Sequence, residues 1–204
     1  TEVRFWTDSH YASQARSIMG EYGPTIRTQT VLAGKLRRYH HLTKVQHFTV
    51  PSVIFPNIRD SFLVFLGVGQ SLIRLIFWRP DVIFANGGYV CLPVGWAAWL
   101  LRIPLVIHDA DAVPGLTNRL LAPIATRIGT GLSLDHFNYP SSKARYVGIA
   151  IDPSYQEVTE TQRKEFKEAL GFDGTRPLTV FTGGGQGSRQ INAAVALHLE
   201  ELLK

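Results

Sequence analysis

Short apolar runs alternate with longer segments of helical periodicity along most of the chain. The runs from Asp81 to Ala85 and from Leu105 to His108 are almost continuously apolar, which is typical of strands buried on both faces of a sheet. Helices are predicted around them from Asn57 to Trp78, from Val90 to Leu101 and from Leu116 to Ala125. This alternation predicts an α/β fold, with a parallel sheet covered by helices on both faces.

The first fifty residues continue this alternation. A strand is predicted from Val3 to Trp6, and a helix follows from His10 to Tyr22, ended by Gly23 and Pro24. A second strand is predicted from Arg27 to Leu32. The segment from Ala33 to Pro51 is then predicted to be a long basic loop.

The composition of the sequence becomes more polar after Gly148. We expect residues 1–150 to form a first domain and residues 151–176 a linker with a helix from Thr161 to Leu170. Residues 177–204 are predicted to form the start of a second α/β domain. Its predicted parts are a strand from Leu178 to Phe181, a glycine loop, and a helix from Ser188 to Leu203.

Positive charge is concentrated in the first part of the chain. Up to Pro80 there are ten Lys or Arg against four Asp or Glu, and between Tyr22 and Pro80 Asp60 is the only acid. Such a field attracts phosphates on nucleic acid, anionic lipid or a diphosphate substrate. The single cysteine, Cys91, excludes an internal disulfide, and no secretory signal pattern opens the sequence.

Three predicted strand ends carry polar or glycine-rich segments, and ligands of open parallel sheets bind at such ends. The first is the turn Asn86, Gly87, Gly88 and Tyr89, which also reads as a plain tight turn. The second lies at the end of the run Leu105 to His108 and carries several polar groups on one loop. These groups could hydrogen-bond sugar hydroxyls, or they could serve as helix caps and as a structural histidine. These groups are His108, Asp109, Asp111 and Asn118.

The third strand end is the loop from Gly183 to Ser188, which opens a predicted helix. Its backbone amides and the helix dipole suit a phosphate. Because no lysine follows and Ser188 replaces the third glycine, it is neither a Walker loop nor a full dinucleotide motif.

The predicted helix around Phe62 to Trp78 is more apolar than one buried stripe requires. It is interrupted by Gln70 and Arg74, so a membrane-spanning segment is not expected. Two interpretations remain open, a core helix and an interfacial membrane patch beside the basic loop. That loop contains Lys35, Arg37, Arg38 and Lys44.

Several of these segments resemble MurG, the bacterial N-acetylglucosaminyltransferase family that completes the lipid-linked peptidoglycan precursor. The similarity is carried by residues 79–90, 97–108, 113–122 and 183–192, in the family's order and spacing. The loop with Lys35, Arg37 and Arg38 resembles the family's basic acceptor-side loop.

The resemblance implies a GT-B fold with two Rossmann-like domains, and inverting transfer from UDP-N-acetylglucosamine to an undecaprenyl-diphosphate-linked muramoyl peptide. It implies no tightly bound cofactor or metal, no nucleic-acid partner, and a peripheral location on the cytoplasmic face of an anionic membrane. Donor contacts are expected from Asp111, Gly184, Gly185, Gln186 and Gly187. Acceptor-side contacts are expected from Asn86, Gly87, Gly88, Tyr89, His108, Asp109, Asn118, Lys35, Arg37 and Arg38.

The chain also departs from the family pattern. The histidine-bearing glycine loop that follows the family's first strand has no match, so no catalytic residue is assigned. Asp111 stands where the family has a donor-contacting asparagine, Asp152 where it has an arginine, and Gly185 where it has a serine. We therefore expect a fragment that lacks the first βα unit and most of the donor domain, and that transfers no sugar alone.

Two further functions stay open. A UDP-N-acetylglucosamine 2-epimerase would share the nucleotide-sugar cleft but would need no membrane patch. A non-catalytic membrane-tethering acceptor subunit would need no second domain, whereas a new α/β segment is predicted from Leu178. Nucleic-acid binding ranks last because the basic region has neither a recognition helix nor an RNA-stacking motif.

Overall fold

The computed structural model describes residues 1–36, 50–152, 155–182 and 188–202. These residues form two compact units, Thr1–Ala150 and Ile151–Lys204. Arg37, Arg38 and Gly184 to Gly187, all predicted site residues, lie outside the described residues.

The first unit alternates strands and helices, as the apolar pattern predicts. In chain order its elements are β1 (Arg4–Thr7), α1 (Ala12–Tyr22), β2 (Arg27–Thr30), α2 (Pro51–Phe77), β3 (Ile83–Ala85), α3 (Cys91–Leu100), β4 (Leu105–Asp109), α4 (Leu116–Leu121), β5 (Arg127–Thr130), a 3-10 turn (Leu134–His136) and β6 (Ala144–Tyr146). The predicted α/β class is confirmed.

All strand pairs in this unit are parallel. β1 pairs with β2 in one sheet, while β3, β4, β5 and β6 pair in that order in a second sheet. Parallel strands place their carboxyl ends at one edge, so the segments after β1, β3 and β4 emerge on the same side of their sheets.

Two apolar clusters hold the helices on the sheet. The larger one surrounds Leu105, Ile107 and Ile128 of the central strands, which are at most 1% exposed. The smaller one joins α2 to α3 through Leu75 and Ala98. Burial of these side chains stabilises the packed unit by about 25 cal/mol for each Å² of apolar surface removed from water, and it is the main stabilising contribution.

Helix α2 begins at Pro51, earlier than the predicted start at Asn57. Pro56 lies inside the helix but close to its beginning, where its missing N–H removes a single backbone hydrogen bond. Val53 and Ile54 already donate to the carbonyl of Val50 and so start the helical ladder.

The second unit contains α5 (Glu160–Ala169), α6 (Arg189–Leu197) and α7 (Leu199–Leu202). Thr159 and Gln162 form a reciprocal capping box at the start of α5. The strand predicted from Leu178 to Phe181 is wrong for this structure, because that segment pairs with no other described strand and an isolated strand leaves its backbone unsatisfied. The single helix predicted to Leu203 is divided at His198.

Candidate functional site at the carboxyl edge of the sheet

The turn after β3 adopts a backbone that requires glycine. Gly87 has φ +74° and Gly88 has φ +79°, both in the left-handed region. The Sγ–H of Cys91 donates to the carbonyl of Gly87 at 2.6 Å. Burial raises the pKa of Cys91 to about 11, so the thiol remains protonated and able to donate at neutral pH. The predicted glycine turn therefore has a defined shape, fixed at the start of α3.

His108 connects this turn to the end of the first unit. Its Nε2 lies 2.9 Å from the carbonyl oxygen of Gly148, and its Nδ1 lies 2.8 Å from Oδ1 of Asn86. A backbone carbonyl only accepts, so Nε2 carries the proton; a ring protonated on Nε2 alone accepts on Nδ1, which pairs it with the NH₂ side of the Asn86 amide. The ring is 8% exposed and packs beside Phe84. His108 thus orients Asn86, which is itself exposed at the turn.

Asp109 and Asn118 lie beneath the same edge. Asp109 is fully buried and accepts a 2.6 Å hydrogen bond on Oδ2 from the hydroxyl of Tyr139. Burial, and then the bond to Asp109, raises the pKa of Tyr139, so its hydroxyl remains a donor at neutral pH. Asn118 donates from Nδ2 to the carbonyl of His108 at 3.3 Å, and a Cβ added to Gly87 would meet its amide at 3.6 Å.

Two acceptor atoms in this group have no hydrogen-bond partner within the described part of the chain. They are Oδ1 of Asp109 and Oδ1 of Asn118, in side chains that are at least 95% buried. A buried acceptor without a donor costs about 1–3 kcal/mol. Both atoms are closed off from the surface, so an ordered internal water is the donor that would satisfy them.

The structure brings together six predicted residues of the acceptor side, which are Asn86, Gly87, Gly88, Tyr89, His108 and Asn118, with Asp109 directly below them. Asp111 follows β4 by two residues and is exposed. Lys35 is exposed and lies between Gly34 and Leu36, two residues that line a small cleft with Tyr89.

Sequence reasoning missed Asp8 and Tyr139. Asp8 directly follows β1 and is 7% exposed, and its Oδ2 accepts a 2.5 Å hydrogen bond from the hydroxyl of Tyr89. A polar residue directly after a strand is the signal that pointed to His108 and Asp109, and the same signal marks Asp8. Tyr139 lies thirty residues beyond its partner, and no local pattern marks that pairing.

Comparison with known proteins decides the family. The model of the glycosyltransferase family 28 N-terminal domain matches residues 16–130, more than half of the chain. The chain belongs to glycosyltransferase family 28. The match begins within α1 and ends with β5. It therefore includes Asn86 to Tyr89, His108, Asp109 and Asn118, but neither Asp8 nor Tyr139.

Two curated relatives of this family 28 chain share one description, apart from a numeral. A Bacillus cereus (strain ATCC 10987) protein called UDP-N-acetylglucosamine--N-acetylmuramyl-(pentapeptide) pyrophosphoryl-undecaprenol N-acetylglucosamine transferase 2 is 35% identical over 175 residues, 86% of this chain and 45% of the relative. A Geobacillus kaustophilus transferase of the same description is 34% identical over 85% of this chain and 44% of its own length. The chain thus spans less than half the length of these relatives.

A solved structure gives the same fold. The crystal structure of Acinetobacter baumannii MurG matches 98% of this chain and 49% of its own with a TM-score of 0.61, at 19% identity. The fold expected from the MurG resemblance is confirmed. Membership of glycosyltransferase family 28 favours a glycosyltransferase over the epimerase.

Proposed function

We propose that this family 28 chain provides the acceptor side of an enzyme that transfers N-acetylglucosamine from UDP-N-acetylglucosamine to a polyprenyl-diphosphate-linked muramoyl peptide. The observation that carries the proposal is the group of polar residues at the carboxyl edge of the β3–β6 sheet. The names of relatives that are 34% and 35% identical over the matched residues supply the substrate class.

The geometry of this group suits a sugar acceptor. The exposed amide of Asn86 and the Gly87–Gly88 turn offer hydrogen-bonding groups and close backbone approach at the surface of this edge. Sugar hydroxyls are both donors and acceptors, so they complement this mixture of groups. We assign Asn86 to Tyr89, His108, Asp109 and Asn118 to the acceptor side, with His108 orienting Asn86.

In the proposed reaction an acceptor hydroxyl oxygen bonds to the anomeric carbon while the carbon–oxygen bond to UDP breaks. The hydroxyl loses its proton to a base, and donors near the diphosphate stabilise the departing charge. We propose that Asp111 and the residues Gly184 to Gly187 contribute to donor binding, as the family resemblance implies. Unchanged donor affinity in a longer protein with Asp111→Ala and Gly185→Val would contradict this assignment.

Helix α2 supports a membrane-associated location because it has two apolar faces. Its buried positions include Val53, Val64 and Leu75, whereas other apolar residues of the helix are exposed by 60% or more. These exposed residues are Phe55, Ile58, Phe62, Phe65, Ile73, Ile76 and Phe77. The two sets are offset by about two positions, roughly 200° around a helix, so they face opposite sides. The core does not use the second face.

This second face suits the membrane interface. α2 is the one helix within the described ranges that is long and apolar enough to cross a bilayer, by length and composition, with a mean hydropathy of 1.5 over its most apolar window. Yet it buries Asp60 and packs extensively on α3, which a lipid-surrounded span does not do. We propose that α2 lies on an anionic bilayer with its exposed face in the headgroup region.

A second feature that suits a membrane lies at the far ends of α2 and α3. Arg79, just after α2, donates to the carbonyl of Leu101, just after α3. Beside them lies an open cavity of about 520 Å³ at the amino edge of the sheet, lined by Trp99, Leu100, Arg102, Ile103, Pro104, Ile124 and Thr126. Apolar walls with basic residues at the rim suit lipid headgroups, and each cation near an anionic leaflet adds about 1 kcal/mol.

The test compares binding of the chain to vesicles with and without the polyprenyl-diphosphate-linked muramoyl peptide. We expect the acceptor to increase binding, and Gly87→Val to abolish the increase, because valine disfavours φ +74° and its side chain would approach Asn118. Gly20→Ala, whose added Cβ meets nothing within 4 Å, serves as the control. Equal binding to both kinds of vesicle would contradict the proposal.

A further inference from the structure

A buried carboxylate connects the two sheets of the first unit at their carboxyl edge. Asp8 follows β1 of the two-stranded sheet, and Tyr89 follows β3 of the four-stranded sheet. The Tyr89 hydroxyl donates to Oδ2 of Asp8 at 2.5 Å, although 81 positions separate the two residues. This bond fixes the position of the glycine turn relative to the end of β1.

The two oxygens of Asp8 have separate partners. Oδ1 accepts from the backbone N–H groups of His10 at 2.6 Å and Tyr11 at 3.0 Å, which secures the start of α1. Oδ2 accepts from Tyr89. The two roles of Asp8, one at the helix start and one at the glycine turn, can therefore be separated by substitution.

The protonation states of the pair are favourable for this bond. Burial opposes ionisation of Asp8, but the hydrogen bonds from Tyr89, Tyr11 and His10 outweigh it and lower the pKa of the carboxyl. Burial, followed by the bond and charge of Asp8, raises the pKa of Tyr89. At neutral pH the bond therefore joins an ionised carboxylate to a protonated hydroxyl, which makes it a strong one.

Tyr89 is also a wall of the cleft next to the turn. It lines a narrow space of about 30 Å³ with Gly34 and Leu36 on one side and Leu116 and Thr117 of α4 on another. The loop with Gly34 is closely packed there, since a Cβ at Gly34 would fall 1.8 Å from the carbonyl oxygen of Asp60. A displacement of Tyr89 would therefore change the shape of this narrow space beside the glycine turn.

We propose that Asp8 is a positioning residue for the acceptor, which holds Tyr89 in place as a wall of the acceptor cleft. This inference rests on the proposed function, because it takes the carboxyl edge to be the acceptor site. Asp8 does not contact the reacting atoms itself. It acts through Tyr89 and so determines how closely the turn with Gly87 and Gly88 fits the acceptor.

The decisive variant is Asp8→Asn. Asparagine keeps an oxygen for the N–H groups of His10 and Tyr11 but replaces the charged acceptor Oδ2 by an NH₂. The strong charge-assisted bond then gives way to a weaker neutral one, in which the amide donates to the Tyr89 hydroxyl oxygen. Tyr89→Phe removes the bond altogether. Tyr22→Phe is the matched control, because Tyr22 is exposed at the end of α1, the opposite end of that helix from Asp8.

The experiment measures, by calorimetric titration of the 204-residue chain, the affinity for a soluble short-chain polyprenyl diphosphate carrying the muramoyl pentapeptide. We expect Tyr89→Phe to weaken binding about tenfold and Asp8→Asn to weaken it by a smaller factor, and the double variant to bind no more weakly than Tyr89→Phe. Such non-additivity identifies a shared interaction. Tyr22→Phe should bind as the unchanged chain does.

Each other outcome is decisive. If the unchanged chain binds the analogue and Asp8→Asn binds it equally well, the positioning role is wrong while the proposed function stands. If the two losses add in the double variant, Asp8 acts through the start of α1 and not through Tyr89, which also overturns the inference. If the unchanged chain binds no analogue, the proposed function fails and the inference fails with it.

Discussion

The imidazole of His108 is hydrogen-bonded to the carbonyl of Gly148, 2.9 Å from Nε2, so the buried centre of the sheet is joined to the segment after β6. Gly148 has φ +78° and its N–H donates to the carbonyl of Thr130. The end of the first unit is therefore held at two points. One of these points also orients Asn86 at the carboxyl edge.

Replacing His108 by phenylalanine should destabilise the chain by about 2–4 kcal/mol, because the carbonyl of Gly148 and the amide of Asn86 each lose a partner. Phenylalanine keeps the ring beside Phe84, so lost packing is a small part of the effect. Urea unfolding measures the change. Asn86→Ala removes one of the two bonds and should cost about 1 kcal/mol, and a larger loss from Asn86→Ala than from His108→Phe would contradict this account.

Two glycines of α2 should respond in opposite ways to alanine. A Cβ at Gly67 would lie 2.0 Å from the carbonyl oxygen of Leu32, so Gly67→Ala should displace the loop after β2 and destabilise the chain by more than about 2 kcal/mol. A Cβ at Gly69 would meet nothing within 4 Å, and alanine there should stabilise the helix by up to about 1 kcal/mol. Thermal unfolding of both variants tests the prediction, which fails if the two shifts have the same sign.

The bond between Tyr139 and Asp109 predicts a pH dependence of stability. At pH 7 Tyr139→Phe should be less stable than the unchanged chain, because the buried Oδ2 of Asp109 loses its donor. The pKa of Tyr139 is raised in the folded state, so its contribution is present below the unfolded value of about 10 and is lost as the pH rises above it. The difference in unfolding free energy between the two proteins should therefore narrow above about pH 10. A constant difference from pH 7 to pH 11 would show that Tyr139 does not titrate differently on folding.

The exposed face of α2 should control binding to anionic vesicles. The double variant Phe62→Ser and Phe65→Ser removes two side chains that are more than 60% exposed, so the fold should be retained. We expect vesicle affinity to fall at least tenfold in sedimentation assays, since each phenylalanine buried in the interface contributes on the order of 1–2 kcal/mol. Phe172→Ser, an exposed phenylalanine of the second unit, is the control. Equal losses from both variants would contradict a specific membrane face on α2.

The sequence predicts the elements of the first unit well where its apolar runs are continuous. Ile107 and its neighbours identify β4, and the helical spacing of Val64 and Leu75 identifies α2. The strands β5 and β6 escaped prediction because each is short and contains few apolar residues; Arg127 and Arg145 occupy positions in them. Their burial comes from neighbouring strands, which local periodicity does not register.

Two other features depend on distant contacts. The residues from Leu178 to Phe181 have strand-like composition but lack a described neighbour to pair with, so local preference alone did not produce a strand. The second apolar face of α2 was visible as an excess of apolar residues, but only the packing shows that the buried and exposed sets lie opposite each other.

The sequence predicts which strand ends contribute to the candidate site, but not the hydrogen bonds that join them. The glycine turn and His108 with Asp109 were found because polar residues directly follow apolar runs. The pairing of Tyr89 with Asp8 and of Tyr139 with Asp109 joins segments far apart in sequence. Such pairings follow from the order of strands in the sheets, which the sequence of one chain does not specify.

The most direct test of the central claim is photocrosslinking with a short-chain acceptor analogue that carries a diazirine on its muramoyl sugar, followed by mapping of the modified residues by mass spectrometry. We predict modification at the carboxyl edge, within residues 86–90 and 111–118, and its suppression by excess unlabelled acceptor. Modification confined to the cavity at the amino edge, between Trp99 and Pro104, would contradict the account, because the acceptor sugar would then bind at the opposite edge of the sheet.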